Sequence, residues 1–296
     1  MIRSRLLLSF PNTKTGEIQM MRFGKNIKIF LIDGDIDGRW TCELSNWTGK
    51  AYKIPRNLVK ECAQREDLQK PGVYFLFGMQ EDGKPLVYIG ESEVIYKRLV
   101  EHLNTKDYWN ECIVFISKDE YLNKAHIKYL EHRFYSLAKE AKRYVIKNDT
   151  IPTKSNVSEA EEAELEEFIY NAKILIGTLG HKAFEPIKKT AGHEGQTLFY
   201  FQRKGGERGK GVGLPTSEGF VVLKGAYVAP ELLESANQWV KDLRNKHKDK
   251  IKDNYTTEDI LFSSPSAASA FLCGGTSNGL VEWKTKEGIT LKEMQG

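Results

Sequence analysis

The chain has 296 residues, 40% of them hydrophobic and 11% aromatic, so its length favours two or more domains with ordinary buried cores. Its formal net charge of +4 is compatible with a nucleic-acid partner but does not require one. The apolar runs are far too short to span a bilayer, and the four cysteines lack CxxC spacing, which argues against a membrane partner and a thiolate zinc site. We therefore expect a cytoplasmic protein with free thiols.

The first 67 residues alternate apolar and polar positions, with turn residues between the alternating runs. This pattern predicts strands at residues 5–10, 18–23, 27–32, 39–44 and 51–54. A short helix is expected at 55–65, with proline in its first turn. Residues 33–38 begin like a calcium loop, but Leu44 stands where a bidentate glutamate is needed, so a hairpin turn is the better interpretation. Residues 1–67 are thus predicted to form a β-rich N-terminal unit.

Residues 68–150 have the pattern strand, strand, helix, strand, helix. Strands are predicted at 73–77, 86–89 and 112–116, and the Asp82-Gly83 pair between the first two is a hairpin signal. Helices are predicted at 94–103 and 121–143, and apolar residues recur at helical spacing along the second.

A third helix is predicted at 159–178, where Ser158 and Glu161 form a capping box and Gly180 follows the end. Six glutamates crowd its first half and would repel a phosphate backbone. We therefore expect residues 151–183 to be an acidic linker helix that faces away from any nucleic acid.

Residues 184–296 are predicted to form a separate small α+β domain. Its strands are expected at 197–203 and 219–224, and its helices at 230–246 and 266–272. Residues 205–211 are glycine-rich and basic but lack the spacing of a phosphate loop. They are predicted to be a hairpin tip, with contact to a DNA backbone as the alternative.

Five polar residues of the middle segment could act together in chemistry. Tyr74 and Tyr88 lie in two short apolar runs joined by the hairpin, so both phenols can share one sheet face. Arg98 and His102 are spaced i, i+4 and share a helix face. Glu131 lies at the margin of an apolar stripe, where a carboxylate is costly without a cation or a metal. Each has an ordinary structural explanation alone, but together they supply a proton acceptor, a phosphate-binding cation and a ligand for a hard metal.

The motifs around these residues carry a family resemblance over about residues 70–150. Gly72-Val73-Tyr74 and Val87-Tyr88-Ile89-Gly90 resemble the two signature motifs of the GIY-YIG endonuclease superfamily, with Val73 in place of isoleucine. Arg98 and Glu131 fall where that family keeps its helix arginine and its metal-binding glutamate. His102 resembles the histidine or tyrosine that many members carry four residues after the arginine.

The resemblance implies an α+β core around a three-stranded antiparallel sheet with flanking helices, and hydrolysis assisted by one divalent metal. Glu131 would hold Mg²⁺ (or Mn²⁺), and Arg98 would stabilise the charge that develops on the phosphoryl oxygens. Asn148 is similar to the asparagine that often closes the motif and would be auxiliary.

The general base has two candidates on chemical grounds. A free phenol has a pKa of about 10, whereas imidazole at about 6.5 is mostly neutral at pH 7 and ready to accept a proton. Tyr74 therefore competes with His102 only if Arg98 and the metal lower its pKa by about three units. Because the resemblance implies a tyrosine close to the attacking water, we expect Tyr74 to be the base, His102 to relay its proton and Tyr88 to position the water.

The C-terminal segment contains Phe262-Ser263-Ser264-Pro265-Ser266-Ala267-Ala268, then Gly275-Thr276-Ser277-Asn278-Gly279 and Trp283-Lys284. With these motifs it resembles an uncharacterised domain that often follows this nuclease in bacteria, and also the RAMA domain, which is associated with restriction and DNA modification. Its short turns with serine, asparagine and tryptophan suit base contacts or stacking. The alternative is that Trp283 fills a small core. The residues predicted to bind nucleic acid are Lys97, Arg203, Lys204, Arg208, Lys210 and Trp283.

The sequence therefore predicts a metal-dependent endonuclease that acts on nucleic acid, with double-stranded DNA favoured over RNA. One site per chain means that cutting both strands requires a homodimer or two visits. The first alternative is a non-cleaving reader of nucleic acid or modified DNA with a relict site. The second is an interaction protein that acts through the acidic helix.

Overall fold

The structure is a computed structural model that describes residues 24–187, 197–234 and 236–295, and its class is α+β as predicted. The strands predicted at 5–10 and 18–23 lie outside the described residues. Within the described ranges, no helix combines the length and the apolarity needed to cross a membrane.

A seven-stranded sheet forms the centre of the N-terminal two thirds. Its strands are β1 (Ile27–Leu31), β2 (Trp40–Leu44), β3 (Gly49–Pro55), β4 (Gly72–Met79), β5 (Pro85–Ser92), β6 (Glu111–Ser117) and β7 (Val145–Ile146). Their spatial order is β1-β2-β3-β6-β4-β5-β7, and every neighbouring pair is antiparallel except β5 and β7. The three predicted central strands thus pair as expected. However, β3 pairs with β6 along its whole length. One continuous sheet therefore contains strands from both sides of the predicted boundary at 67/68.

The helix predicted at 55–65 is replaced by two short 3-10 turns, Arg56–Leu58 and Lys60–Cys62, and a third, Glu66–Gln69, follows it. Val59 and Cys62 are the buried positions that hold this segment against the sheet. They are three residues apart, which matches the three-residue period of a 3-10 helix better than the 3.6-residue period of an α-helix.

The two faces of the sheet bury two different cores, because side chains alternate along each strand. On β4, Val73, Phe75 and Phe77 face one core, which is completed by α2 (Lys124–Ala141) and α3 (Glu159–Thr178). Tyr74 and Leu76 face the other core, which is completed by α1 (Ile95–Thr105). The tyrosines of the predicted site therefore lie on the α1 side of the sheet.

The helix α3 has the predicted bounds and capping box, with the Ser158 side chain accepting a hydrogen bond from the Glu161 N–H. Its apolar side chains pack on the main core. Its glutamates bond to α2: Glu166 pairs with Arg133 at 2.5 Å, and Glu161 lies 3.1 Å from the His126 ring. The negative charges are thus partly matched within the domain.

The C-terminal residues form a second α+β unit with its own core. Its elements are β8 (Phe199–Gln202), β9 (Lys210–Thr216), β10 (Gly219–Val222), α4 (Gln238–Lys246), β11 (Ile251–Lys252), β12 (Tyr255–Thr256), β13 (Ile260–Phe262), α5 (Pro265–Cys273), α6 (Gly279–Glu282) and α7 (Leu291–Gln295). A four-stranded sheet has the order β13-β10-β9-β8. The helix predicted at 230–246 begins only at Gln238, because Leu233 donates its N–H to the Gly274 carbonyl and thereby leaves the helical pattern.

The two units meet through ion pairs. Arg143, just after α2, forms two hydrogen bonds to the Glu218 carboxylate, at 2.6 and 3.0 Å. Lys182 lies 3.5 Å from the same carboxylate. The glycine-rich segment joins β8 to β9, which confirms the predicted hairpin.

Candidate active site

The register of β4 and β5 positions the two tyrosines. Tyr74 lies opposite Gly90, and Tyr88 lies opposite Leu76, so both phenols project toward α1. A Cβ at Gly90 would overlap the Tyr74 hydroxyl. The glycine of the second motif is therefore required because the phenol of the first motif crosses directly over it.

Tyr74, Tyr88 and His102 form one aromatic cluster. The Tyr74 hydroxyl is 2.7 Å from Nε2 of His102. The Tyr88 ring lies 5.3 Å from the His102 ring and 6.3 Å from the Tyr74 ring, between centroids. Tyr74 is completely buried, whereas Tyr88 is half-buried. The Nδ1 atom of His102 is buried and has no hydrogen-bond partner among the described residues.

Burial dominates the electrostatics of this cluster. It raises the pKa of Tyr74 well above its ordinary value; the Tyr88 phenol adds to the effect and Arg98 opposes it. Burial, helped by the charges of Arg98 and Lys106, lowers the pKa of His102 to about 4. At pH 7 Tyr74 is therefore protonated and His102 neutral. The sequence argument required Arg98 and a bound metal to lower the pKa of Tyr74 for this residue to be the base. In the protein without a metal, Arg98 does lower this pKa, but burial outweighs it and the net shift is upward.

Arg98 adjoins the cluster at the surface. Its side chain is 44% exposed and donates to Oε2 of Glu101 at 2.8 Å. It lines a shallow pocket of about 380 Å³ formed by the end of β5 and the start of α1, together with Lys124. The residues that line this pocket are Glu91, Ser92, Glu93, Val94, Lys97, Arg98, Glu101 and Lys124. A guanidinium in this position can meet a phosphate that enters from solvent.

Glu131 approaches from the other side of β5, since α2 packs on the opposite sheet face. Burial, reinforced by the negative charge of Glu91, raises the pKa of Glu131 to about 7. Arg98 and Lys124 act in the opposite sense through their charges. No hydrogen bond or ion pair joins Glu131 to another side chain in the described part of the chain. A half-buried carboxylate without a partner is a costly group, and a cation would satisfy it.

The donor set fits a hard divalent cation better than zinc. The described residues contain no group of three or more histidines, cysteines, aspartates or glutamates arranged to hold a metal. Mg²⁺ needs no such group, because it keeps several waters and commonly binds one or two carboxylates. Glu91 is the carboxylate whose negative charge raises the pKa of Glu131. Its two oxygens accept hydrogen bonds from the Lys124 ammonium at 2.9 and 3.0 Å.

The five predicted residues thus reach one region in two groups. Tyr74, Tyr88 and His102 are in mutual contact beside Arg98. Glu131 is linked to them by charge, since it acts on both phenols, and not by direct contact. Sequence reasoning missed Glu91, although its position two residues after Ile89 indicates the same sheet face as α2. It also missed Lys106, whose ammonium lies 4.4 Å from the Tyr88 ring centroid.

Asn148 has a structural position at this site. Its Oδ1 accepts from the Ile89 N–H at 3.0 Å, and its Nδ2 donates to the Ile89 carbonyl at 2.6 Å. The amide therefore extends the short β5–β7 pairing from Val87 to Ile89 and fixes the backbone between Tyr88 and Gly90. Both polar atoms of the side chain are used in this way.

We expect Asn148→Ala to lower the free energy of unfolding by about 1–3 kcal/mol, because both backbone groups of Ile89 lose their partner. Urea denaturation of the two proteins measures this difference. The exposed neighbour Asp149 is the control, and Asp149→Ala should stay within about 0.5 kcal/mol of the parent. Equal stabilities for Asn148→Ala and the parent would mean that the amide does not hold β5 in place.

Only some of the residues that were predicted to contact nucleic acid are exposed. Trp283 is completely buried, and its Nε1–H donates to the Pro265 carbonyl at 3.0 Å, so the prediction that it stacks on a base is wrong. Arg203 and Arg208 lie partly exposed and bond to main-chain carbonyls of Thr276 and Glu231. The predicted cations that lie fully at the surface are Lys97, Lys204 and Lys210.

Comparison with known proteins gives information about the C-terminal unit. Residues 199–295 match a family model described as a domain of unknown function (DUF4357). No curated protein matches the chain, and no solved structure matches it. The match agrees with the prediction of an uncharacterised domain at the C-terminus. It does not include residues 70–150.

Proposed function

We propose that the chain is a divalent-metal-dependent endonuclease of the GIY-YIG type, which hydrolyses phosphodiester bonds in nucleic acid, with DNA as the favoured substrate. One observation carries the proposal. A completely buried Tyr74–His102 hydrogen bond lies beside a solvent-facing arginine, and the charge of an unpaired, half-buried Glu131 acts on both phenols. A purely structural cluster gives no reason to keep an unpaired carboxylate with a pKa of about 7 at this position.

Glu131 is the residue that would hold Mg²⁺ or Mn²⁺, with water completing the coordination. When bound, the ion would polarise the scissile phosphate and help to neutralise its developing charge. Arg98, at the surface pocket beside the tyrosines, would contribute a fixed fork of N–H donors to the phosphoryl oxygens. Lys124 keeps Glu91 paired, which limits the repulsion between the two carboxylates.

Burial of the phenols leads us to exchange the roles predicted for the two tyrosines. Because Nδ1 of His102 is buried without a partner, the less costly tautomer carries its proton on Nε2 and donates to the Tyr74 oxygen. The hydroxyl proton of Tyr74 is then free to turn toward Tyr88, which is half-buried and more accessible than Tyr74. The pKa of Tyr88 is also raised, by burial first and by the charge of Glu131, while the charge of Arg98 opposes the rise. Tyr88 is thus the phenol we assign to the attacking water, and Tyr74 and His102 position it.

A plasmid-nicking assay tests the proposal. Supercoiled DNA should convert to the open-circular form with Mg²⁺ and stay intact with EDTA. Tyr88→Phe should lose more activity than Tyr74→Phe, which keeps the packing of the buried ring. DNA binding without nicking under any divalent cation would instead favour the non-cleaving reader. Methylated, unmodified, branched and single-stranded substrates, compared side by side, would define the preference.

The pH dependence of nicking should follow the ionisation of Glu131. The metal binds the carboxylate form, so at limiting Mg²⁺ the rate should rise with pH through about 7 and level off above it. Glu91→Gln removes the neighbouring negative charge and should move this rise to lower pH by roughly one pH unit. Glu93→Gln is the control, since Glu93 is exposed and lies 3.5 Å from the same Lys124. An unchanged profile in Glu91→Gln would contradict the coupling of the two carboxylates.

A further inference from the structure

The outer face of the C-terminal sheet carries a row of four side chains across neighbouring strands. Gln202 on β8 pairs with Lys210 on β9, Lys210 forms a bridge with Tyr227, and Tyr227 forms a bridge with Tyr255. Residues directly opposite each other in antiparallel pairs point to the same side. The opposite face of this sheet packs on the core, where Phe201 contacts Trp283.

This row borders an open pocket of about 640 Å³, which Tyr200 and Lys224 also line. The volume lies within the range of ligand-binding clefts. Tyr255 is 51% exposed, and Tyr200 and Tyr227 are half-buried. The rings of Tyr227 and Tyr255 are 5.3 Å apart between centroids and are tilted by 58°. Exposed aromatic rings on one sheet face are available to a planar ligand.

The charges around the pocket favour an anion. Lys210 and Lys224 are exposed, and within the described residues neither ammonium forms an ion pair with a carboxylate. The ammonium of Lys286 lies 5.9 Å from the centroid of the Tyr200 ring. Glu207 is the one carboxylate among the described residues that line the pocket.

We propose that this face binds unpaired nucleotides, with bases stacked on Tyr227, Tyr255 and Tyr200 and phosphates held by Lys210 and Lys224. Aromatic rings interleaved with cations on one open surface are the combination that single-stranded nucleic acid requires, because every base has a flat face and every linkage a charge. Duplex DNA without disturbed pairing keeps its bases stacked inside and cannot use the rings. The proposal rests on the proposed function for the choice of nucleic acid as the ligand, and it specifies which form the C-terminal unit recognises.

Binding is measured by fluorescence anisotropy on the full chain carrying Glu131→Gln, in EDTA, so that cleavage plays no part. The probes are a labelled oligothymidylate, a perfect duplex and a duplex with an unpaired bubble. The oligothymidylate and the bubble should bind more tightly than the perfect duplex. Combined Tyr227→Ala and Tyr255→Ala removes two stacking rings and should weaken oligothymidylate binding by at least about 30-fold. The corresponding double phenylalanine variant keeps the rings and should bind like the parent.

Two controls separate stacking from general effects. Tyr170→Ala removes a tyrosine that is 59% exposed on α3 and should leave binding unchanged. Combined Lys210→Gln and Lys224→Gln should reduce the slope of log affinity against log salt by about 1.4, the value for two phosphate contacts on a single strand.

The proposal fails if the double alanine variant binds like the parent, if the perfect duplex binds as tightly as the oligothymidylate, or if the full chain binds neither. These outcomes are independent of nicking. A protein that binds oligothymidylate through its tyrosines but never cuts DNA would refute the nuclease proposal alone. A protein that cuts DNA with both tyrosines removed and binds as before would refute the stacking face alone.

Discussion

The Glu131→Gln variant is expected to nick plasmid DNA at least about 100-fold more slowly than the parent chain, while its fold is retained. The change replaces a carboxylate with an amide of the same shape, so it removes the charge that would hold the metal without opening a cavity. Rates are compared at saturating Mg²⁺ and Mn²⁺ over several hours. Circular dichroism and a thermal melt establish that the variant is folded.

The same substitution should stabilise the metal-free protein at pH 8. Burial raises the pKa of Glu131 to about 7 from the ordinary 4.5, so the folded state prefers the protonated form. The free energy of unfolding therefore falls as pH rises from about 4.5 to 7 and stays low above that range. The neutral amide of the variant would lack this penalty, and after allowance for solvent screening we expect a gain of about 1–2 kcal/mol at pH 8. At pH 4 the gain should vanish.

A matched glutamate on the same helix provides the control. Glu140 is exposed near the end of α2, and Glu140→Gln should change neither the nicking rate nor the stability profile. Nicking at the parent rate by Glu131→Gln would show that the metal site is elsewhere. Loss of nicking without a gain in the free energy of unfolding at pH 8 would show that Glu131 takes part in the reaction. It would contradict the rise in the pKa of Glu131 on burial.

Local signals were enough to predict the parts of the fold whose causes are local. The capping box at Ser158 and the helical spacing after it predicted α3 with its observed bounds. The Asp82-Gly83 turn between two apolar runs predicted the β4–β5 hairpin that carries both tyrosines. In these cases the residues that decide the structure lie within a few positions of one another.

The ionisation of the site could not be predicted in this way, because burial depends on distant parts of the chain. Tyr74 is buried because α1 covers it and because Gly90, sixteen positions later, allows its ring to cross β5. Nothing near Tyr74 in the sequence indicates that its pKa rises. The family resemblance favoured Tyr74 as the base, whereas the burial of its phenol leads us to propose Tyr88.

The burial of Trp283 could not be predicted for the same reason. A tryptophan in a turn-rich segment is compatible with exposure or burial, and the sequence analysis left both open. Its surroundings decide the matter: Phe220 lies 4.6 Å from its ring, between centroids, and the Pro265 carbonyl accepts its N–H. Half-buried Tyr227 and exposed Tyr255 are two aromatic residues of this unit that do border an open pocket, and only the pairing of separate strands brings them together.

Replacement of Arg98 by lysine should lower kcat for nicking by about 100- to 1,000-fold, although the positive charge is kept. The guanidinium offers several N–H donors in a fixed plane, so it can bond to two phosphoryl oxygens at once, whereas an ammonium on a flexible chain cannot hold that geometry. The effect should fall on kcat and much less on KM, because the lost contacts belong to the charge that develops during the reaction. Single-turnover rates at saturating enzyme measure it.

Lys97 is the informative comparison, since it lines the same pocket one position earlier on α1. Lys97→Gln should raise KM and reduce the salt dependence of binding, with kcat nearly unchanged, as expected for a lysine that meets only the DNA backbone. If Arg98→Lys instead changed KM alone, in the manner of Lys97→Gln, Arg98 would be a binding residue. Another cation would then have to stabilise the charge of the reacting phosphate. Lys124 is the next candidate, since it lines the same pocket and is paired with Glu91.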